Sequence, residues 1–173
     1  MSINYIDMLL LSLSDRLNLC FSPTQRQDLG MIGIHTGGVW VAERLHHLLK
    51  LPQPLGQLNI AFYRDDFTRI GLHPHVTPTT LPFSVENRPI ILVDDVIYSG
   101  RTIRAALNEI FDYGRPASIS LAVLIDRNGR ELPIQPDFIG CSLALASNKH
   151  IKLCGPHPLF LDIRTLHNEH DTT

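Results

Sequence analysis

The sequence predicts an α/β domain built on a doubly wound parallel sheet with flanking helices. Three observations carry this. Short apolar runs recur at residues 31–34, 58–63, 90–93 and 118–126, the pattern of strands buried on both faces. Between the runs lie stripes at helical spacing, such as Val41, Ala42, Leu45, Leu48 and Leu49, or Ile103, Ala106, Leu107, Ile110 and Phe111. Turns containing Gly or Pro separate the two kinds of segment, so strands and helices alternate as a parallel sheet requires.

The chain has 173 residues, 44% of them apolar and 18% charged. That suits a single globular domain over residues 1–173 and argues against a disordered polymer. The net charge of −2 gives no general affinity for nucleic acid, so any RNA site must be a local patch. Cys20, Cys141 and Cys154 have no metal spacing and form no disulfide framework, so buried or half-buried thiols in a reducing, cytoplasmic setting are expected.

In chain order, Ile6, Leu9, Leu10, Leu13, Leu17 and Cys20 form one face of an amphipathic helix that packs on the sheet and stops at Ser22-Pro23. Residues 8–13 are too short to span a bilayer and lack the basic flank of a signal peptide. Residues 31–34 form the first strand. The turn His35-Thr36-Gly37-Gly38 then opens a helix, either as a tight turn or as bare amides that suit an anion. His46 and His47 should be solvated. A strand over 58–63 leads into residues 64–82, which hold three prolines and no periodicity, the pattern of a lid or a surface loop. A short edge strand is expected at 81–85.

Residues 90–102 organise the rest. Ile90-Ile91-Leu92-Val93 runs straight into Asp94 and Asp95, and a hydroxyl-rich loop with Gly100 then opens a helix. Ligands of open α/β sheets bind off the carboxyl ends of strands. The first amides of a helix have no internal partner and favour negative charge. Gly100 lets the backbone close around an anion, and Ser99 and Thr102 add hydroxyl donors. Asp94 and Asp95 would repel a phosphate but suit sugar hydroxyls or a hard cation such as Mg2+. Phosphate, diol and Mg2+ together describe a ribose 5-phosphate. Gly114 and Pro116 stop the helix, and 118–126 forms the next strand. Strands follow at 150–153 and 159–163, and the polar tail 165–173 should be disordered.

The run from Ile91 to Leu107 resembles the 5-phosphoribosyl-1-pyrophosphate (PRPP) motif of type I phosphoribosyltransferases. It is most similar to the PyrR-type pyrimidine-operon regulators, a branch whose members are also uracil phosphoribosyltransferases. The likeness spans about residues 30–140 and implies that family's fold, with a flexible lid at about 64–82 and a base-binding hood around 126–145. It implies transfer of ribose 5-phosphate from PRPP to uracil, giving UMP and pyrophosphate, with Mg2+. Tyr98, Ser99, Gly100, Arg101 and Thr102 would hold the 5-phosphate. Asp94 and Asp95 would hold the ribose and, through water, the metal. Thr36, Gly37 and Gly38 would meet the pyrophosphate, helped by Arg64 on the lid. The usual family text has arginine where this chain has Gly37, which removes a cation that could steady the leaving group and lowers expected turnover.

In the hood, Phe138 would stack on uracil, Ile139 would offer backbone groups to its edge, and Arg130 would line the same pocket; taken alone, Phe138 reads as core. Purine-using relatives carry an acid where this chain has Tyr98, so the resemblance favours a pyrimidine. It also implies a homodimer. The alternative is a uridine-nucleotide sensor that binds leader RNA with weak or no catalysis. The scattered cations Arg16, Arg26, Lys149, Lys152 and Arg164 are few for that task.

Overall fold

The computed structural model describes residues 5–60 and 78–165. Helices α1 (Tyr5–Cys20) and α2 (Pro23–Arg26) precede strand β1 (Gly30–Ile34). Helix α3 (Gly37–Leu49) and strand β2 (Gly56–Leu58) follow, then β3 (Pro89–Ile97) and α4 (Arg101–Asp112). Strands β4 (Ser118–Arg127), β5 (Phe138–Leu143), β6 (Lys149–Cys154) and β7 (Phe160–Thr165) complete it. The main sheet runs β2-β1-β3-β4-β5, with every neighbouring pair parallel. β6 and β7 form a separate antiparallel hairpin.

The continuous apolar runs have the expected cause. All five residues of β1 are buried, as are Ile90 to Asp94 of β3. One face of the sheet packs on α1 and α3, with Leu10, Leu13, Leu17, Val41 and Leu45 against Met31, Ile91 and Val93. Ile151, Leu153 and Leu159 of the hairpin join this layer. The other face packs on α4 through Ile103, Ala106 and Ile110. Helices on both faces make the sheet doubly wound. No helix among the described residues is long and apolar enough to cross a membrane.

Several local expectations change. The second strand is Gly56–Leu58 and ends before Asn59, whose amide donates to Thr79 Oγ1 at 3.1 Å, while residues 61–63 of the expected strand lie outside the described residues. The edge strand expected at 81–85 shrinks to one bridge, in which Gln57 and Thr80 exchange two 2.8 Å backbone bonds. Pro82 has no amide with which to extend it. Instead Val85 is buried, and Arg88 lies over the Phe83 ring while pairing with Asp28 at 2.8 Å. Cys20 is exposed although it lies on the expected apolar stripe, because α1 ends there. His46 is half-buried and bonded to the Gln53 carbonyl at 2.7 Å rather than solvated. Arg64, most of the expected lid and the tail from 166 lie outside the described residues.

Leu13 on α1 is fully buried between helix and sheet. Leu13→Ala should destabilise the fold by about 2–5 kcal/mol. Urea denaturation should show the lower midpoint with an unchanged slope.

Candidate active site

The strand order reverses between β1 and β3: β2 lies beyond one, β4 and β5 beyond the other. Loops leaving neighbouring strands at such a point turn to opposite faces of the sheet and leave a crevice between them. A cavity of about 750 Å³ occupies this crevice, a volume suited to a small-molecule ligand. Its walls come from Thr36 and Gly37 after β1, from Asp94 through Ile103 at the end of β3, and from Arg127 at the end of β4. Trp40 of α3 and residues 149–153 of β6 close it from above.

Two helices begin at this cavity, and neither has a side-chain cap at its first turn. Thr36 is the N-cap of α3 and Gly100 the N-cap of α4, with no capping side-chain bond at either. Apart from the Arg101 amide, which donates to Ser99 Oγ at 3.3 Å, their leading amides have no capping side chain and suit an anion. Gly100 has φ 94°, a left-handed conformation that side chains resist. The loop around it is braced from below. Glu131 and Leu132 donate their amides to the Ser99 carbonyl at 3.0 and 3.1 Å, and Arg130 donates to the Tyr98 carbonyl.

The two acids occupy different surroundings. Asp94 is only 2% exposed, and its Oδ1 accepts the Asp95 amide at 3.0 Å. Asp95 is half-buried and lies against the backbone of Gly37. A Cβ at position 37 would overlap the Asp95 carboxylate. At position 38 it would meet the Val93 carbonyl at 2.7 Å. The Gly-Gly pair therefore lets the first loop touch the acidic strand end directly.

The expected site residues separate into two sets. Thr36, Gly37, Asp94, Asp95, Tyr98, Ser99, Gly100, Arg101 and Thr102 line one cavity, although 57 or more positions divide its first loop from its second. Gly38 is buried directly behind that wall. Phe138, Ile139 and Arg130 are not among the lining residues. Phe138 begins β5, and its ring centroid lies 6.4 Å from that of Phe21 in the layer beneath α1. The Ile139 carbonyl already accepts Arg16 Nη1 at 2.8 Å. Arg130 is taken up by Asp126 at 2.6 Å and by the loop carbonyl. These three were expected in a hood at 126–145; Phe138 and Ile139 stand half-buried at the start of β5, which is hydrogen-bonded beside β4, and Arg130 lies in the loop between the two strands.

The roof is the β6–β7 hairpin instead. Ile151 and Leu153 of β6 point into the core, which leaves His150 and Lys152 exposed on the opposite face, with Lys149 exposed at the strand's start, and all three border the cavity. The signal was present in the period-two alternation of residues 150–153. Arg127 was also missed. It is 6% exposed, its guanidinium carbon is 4.2 Å from the Tyr98 ring centroid, and it borders the cavity.

A family model described as "Phosphoribosyl transferase domain" matches residues 20–153. A relative from Nitrosococcus oceani named "Bifunctional protein PyrR" is 62% identical over 92% of this chain and 91% of its own length. A protein of the same name from Pseudomonas syringae pv. tomato is 55% identical over 87% of this chain and 88% of its own. Among solved structures, a hypoxanthine-guanine phosphoribosyltransferase from Bacillus anthracis superposes with a TM-score of 0.65. It covers 83% of this chain and 82% of its own at 16% identity, a likeness of fold alone.

The contact between Gly37 and Asp95 can be probed directly. Gly37→Ala should turn the Asp95 carboxylate aside and weaken ribose 5-phosphate binding about tenfold or more, the worth of a charged hydrogen bond. Calorimetric titration measures the affinity. The melting temperature should stay within a few degrees, since a side chain rather than backbone has to yield.

Proposed function

We propose that this chain, which belongs to the phosphoribosyl transferase family and within it to the PyrR group, is a uracil phosphoribosyltransferase. It transfers ribose 5-phosphate from PRPP to uracil and releases pyrophosphate. The carrying observation is the meeting, in one cavity at the strand-order reversal, of two uncapped helix starts and a pair of carboxylates. Two anion cradles with a diol-binding acid pair between them match a substrate that is phosphorylated at both ends of a pentose.

In this reading the α4 start, with Ser99, Gly100, Arg101 and Thr102, takes the 5-phosphate. The amides of Thr36 to Gly38 take the pyrophosphate, joined by Arg64 from outside the described residues. Asp95 accepts hydrogen bonds from the ribose hydroxyls, and Asp94 fixes the strand end through its bond to the Asp95 amide. No covalent nucleophile is needed. As the bond from C1′ to pyrophosphate loosens, positive charge on the sugar faces the two acids, and negative charge on the leaving group faces helix amides.

Mg2+ fits this arrangement as a partner of the substrate. Among the described residues no group of three acidic, histidine or cysteine side chains could hold a metal alone. Mg2+ commonly keeps several waters and uses one or two carboxylates plus substrate phosphates. Asp94 and Asp95 supply that number at the cavity wall. The ion would neutralise charge on the pyrophosphate oxygens.

The relatives' description as bifunctional supports a second reading, binding of leader RNA under control of uridine nucleotides. Of the five cations considered for it, three have partners of their own. Arg16 holds the Ile139 carbonyl and Arg26 holds Asn18, while Arg164 meets Asp162 at 2.6 Å in an exposed pair of little worth. Lys149 and Lys152 border the substrate cavity. These engagements favour the enzymatic reading, in which a homodimer in the cytoplasm is the expected setting.

Steady-state assays with PRPP, Mg2+ and uracil test the reading, with hypoxanthine, guanine and orotate as controls. Uracil should be the preferred base. Asp95→Asn should lower kcat/KM about 10- to 100-fold, as expected for a lost charge-assisted hydrogen bond of about 1.5–3 kcal/mol. A wild-type protein that uses none of these bases would overturn the enzymatic reading. Its binding of leader RNA in a gel-shift assay would then favour the alternative.

A further inference from the structure

Among the charged groups of this cavity that the family motifs leave without a task, Arg127 is the buried one. It stands at the last position of β4, one strand away from the acid pair, and is 6% exposed. Its Nε is buried with no hydrogen-bond partner among the described residues. Its guanidinium stacks on the Tyr98 ring, which also packs against the backbone of Gly129. Arg130, three residues on, also has a buried Nε without a partner among the described residues, but its charge has a carboxylate in Asp126 and a carbonyl in Tyr98. A cation–π contact contributes about 0.5–2 kcal/mol, less than the cost of burying an unpaired charge. A guanidinium kept in this condition at a cavity wall is poised for a ligand acceptor.

We propose that Arg127 donates to the carbonyl edge of the pyrimidine and stabilises the negative charge that gathers there during transfer. This rests on the uracil reading above. The phosphate end of the ligand already has a cradle at the start of α4, built on the loop after β3. Arg127 enters from the neighbouring strand and borders the same cavity as the hairpin roof. Guanidinium N–H groups donate only. They suit a ring carbonyl and oppose an amino group, so uracil is accepted and cytosine is disfavoured where the two differ.

The chemistry gives this contact a second use. The bond from N1 to C1′ forms, the bond from C1′ to pyrophosphate breaks, and pyrophosphate departs with the electron pair. The N1 proton passes to water. As it leaves, the nitrogen's negative charge spreads onto the ring carbonyl oxygens. A fixed guanidinium there strengthens its hydrogen bond as the charge develops, so it favours the transition state over bound uracil.

The test compares wild type, Arg127→Gln and Arg127→Lys with uracil and with 5-fluorouracil, whose N1 proton is more acidic. Arg127→Gln should lower kcat/KM for uracil about tenfold or more, with KM for PRPP changed less than about twofold. Its loss should be several-fold smaller with 5-fluorouracil, because that ring needs less help to carry negative charge. Arg127→Lys should lie between, since it keeps the charge but lacks the planar fork. If Arg127→Gln does not fold, the Arg127→Lys ratios decide by the same criteria. Equal losses on both bases, a defect confined to PRPP, or no loss would overturn the proposal and leave the uracil reading standing. Absence of uracil transfer by the wild type would overturn both.

Discussion

The close approach of the loop after β1 to the end of β3 is the constraint on which the site depends. The two strands are neighbours, and their loops diverge to opposite faces, so the crevice between them opens onto both helix starts. Gly38 sits where a Cβ would press on the Val93 carbonyl, and Gly37 sits against Asp95. Without that approach, the two cradles would be separate anion sites. With it, both helix starts open onto one cavity beside the two acids.

This packing also gives a physical account of Gly37. A side chain at this position would meet the Asp95 carboxylate, so the loop carries no charge of its own here. The missing charge does not leave the cavity acidic. Arg101, Arg127, Lys149 and Lys152 all border it alongside the two aspartates. Arg101 is partly spent on Glu131 at the surface, where such pairs are worth little. Arg127 is buried, and a buried charge acts through a lower effective dielectric. The balance of signs is thus kept by residues on other elements.

The hairpin supplies the roof for a reason of packing. Ile151, Leu153 and Leu159 are anchored in the same layer as α1 and α3. Gly155 lies close to Trp40, and His157 Nδ1 meets Arg44 at 3.3 Å. These contacts fix the hairpin over α3 and therefore over the helix start that faces the cavity. The segment expected to cover the base is instead divided. Residues 131–132 brace the loop at Ser99, and Phe138–Leu143 extends the sheet.

The sequence by itself determined the parallel sheet, the order of its central elements and the acid-loop-helix run from Asp94 to Thr102. These are local patterns: unbroken apolar runs, helical stripes, and a glycine beside hydroxyls at a helix start. It also placed Thr36 to Gly38 at the mouth of a second helix. Only the tertiary structure decided which arginine borders the cavity, because Arg127 and Arg130 differ in partners and not in local pattern. It likewise decided that Phe138 packs half-buried against the layer beneath α1 and that Lys149, His150 and Lys152 border the cavity. Which neighbour a side chain meets depends on strand order and on the face its strand presents, and both are set by packing between segments far apart in the chain.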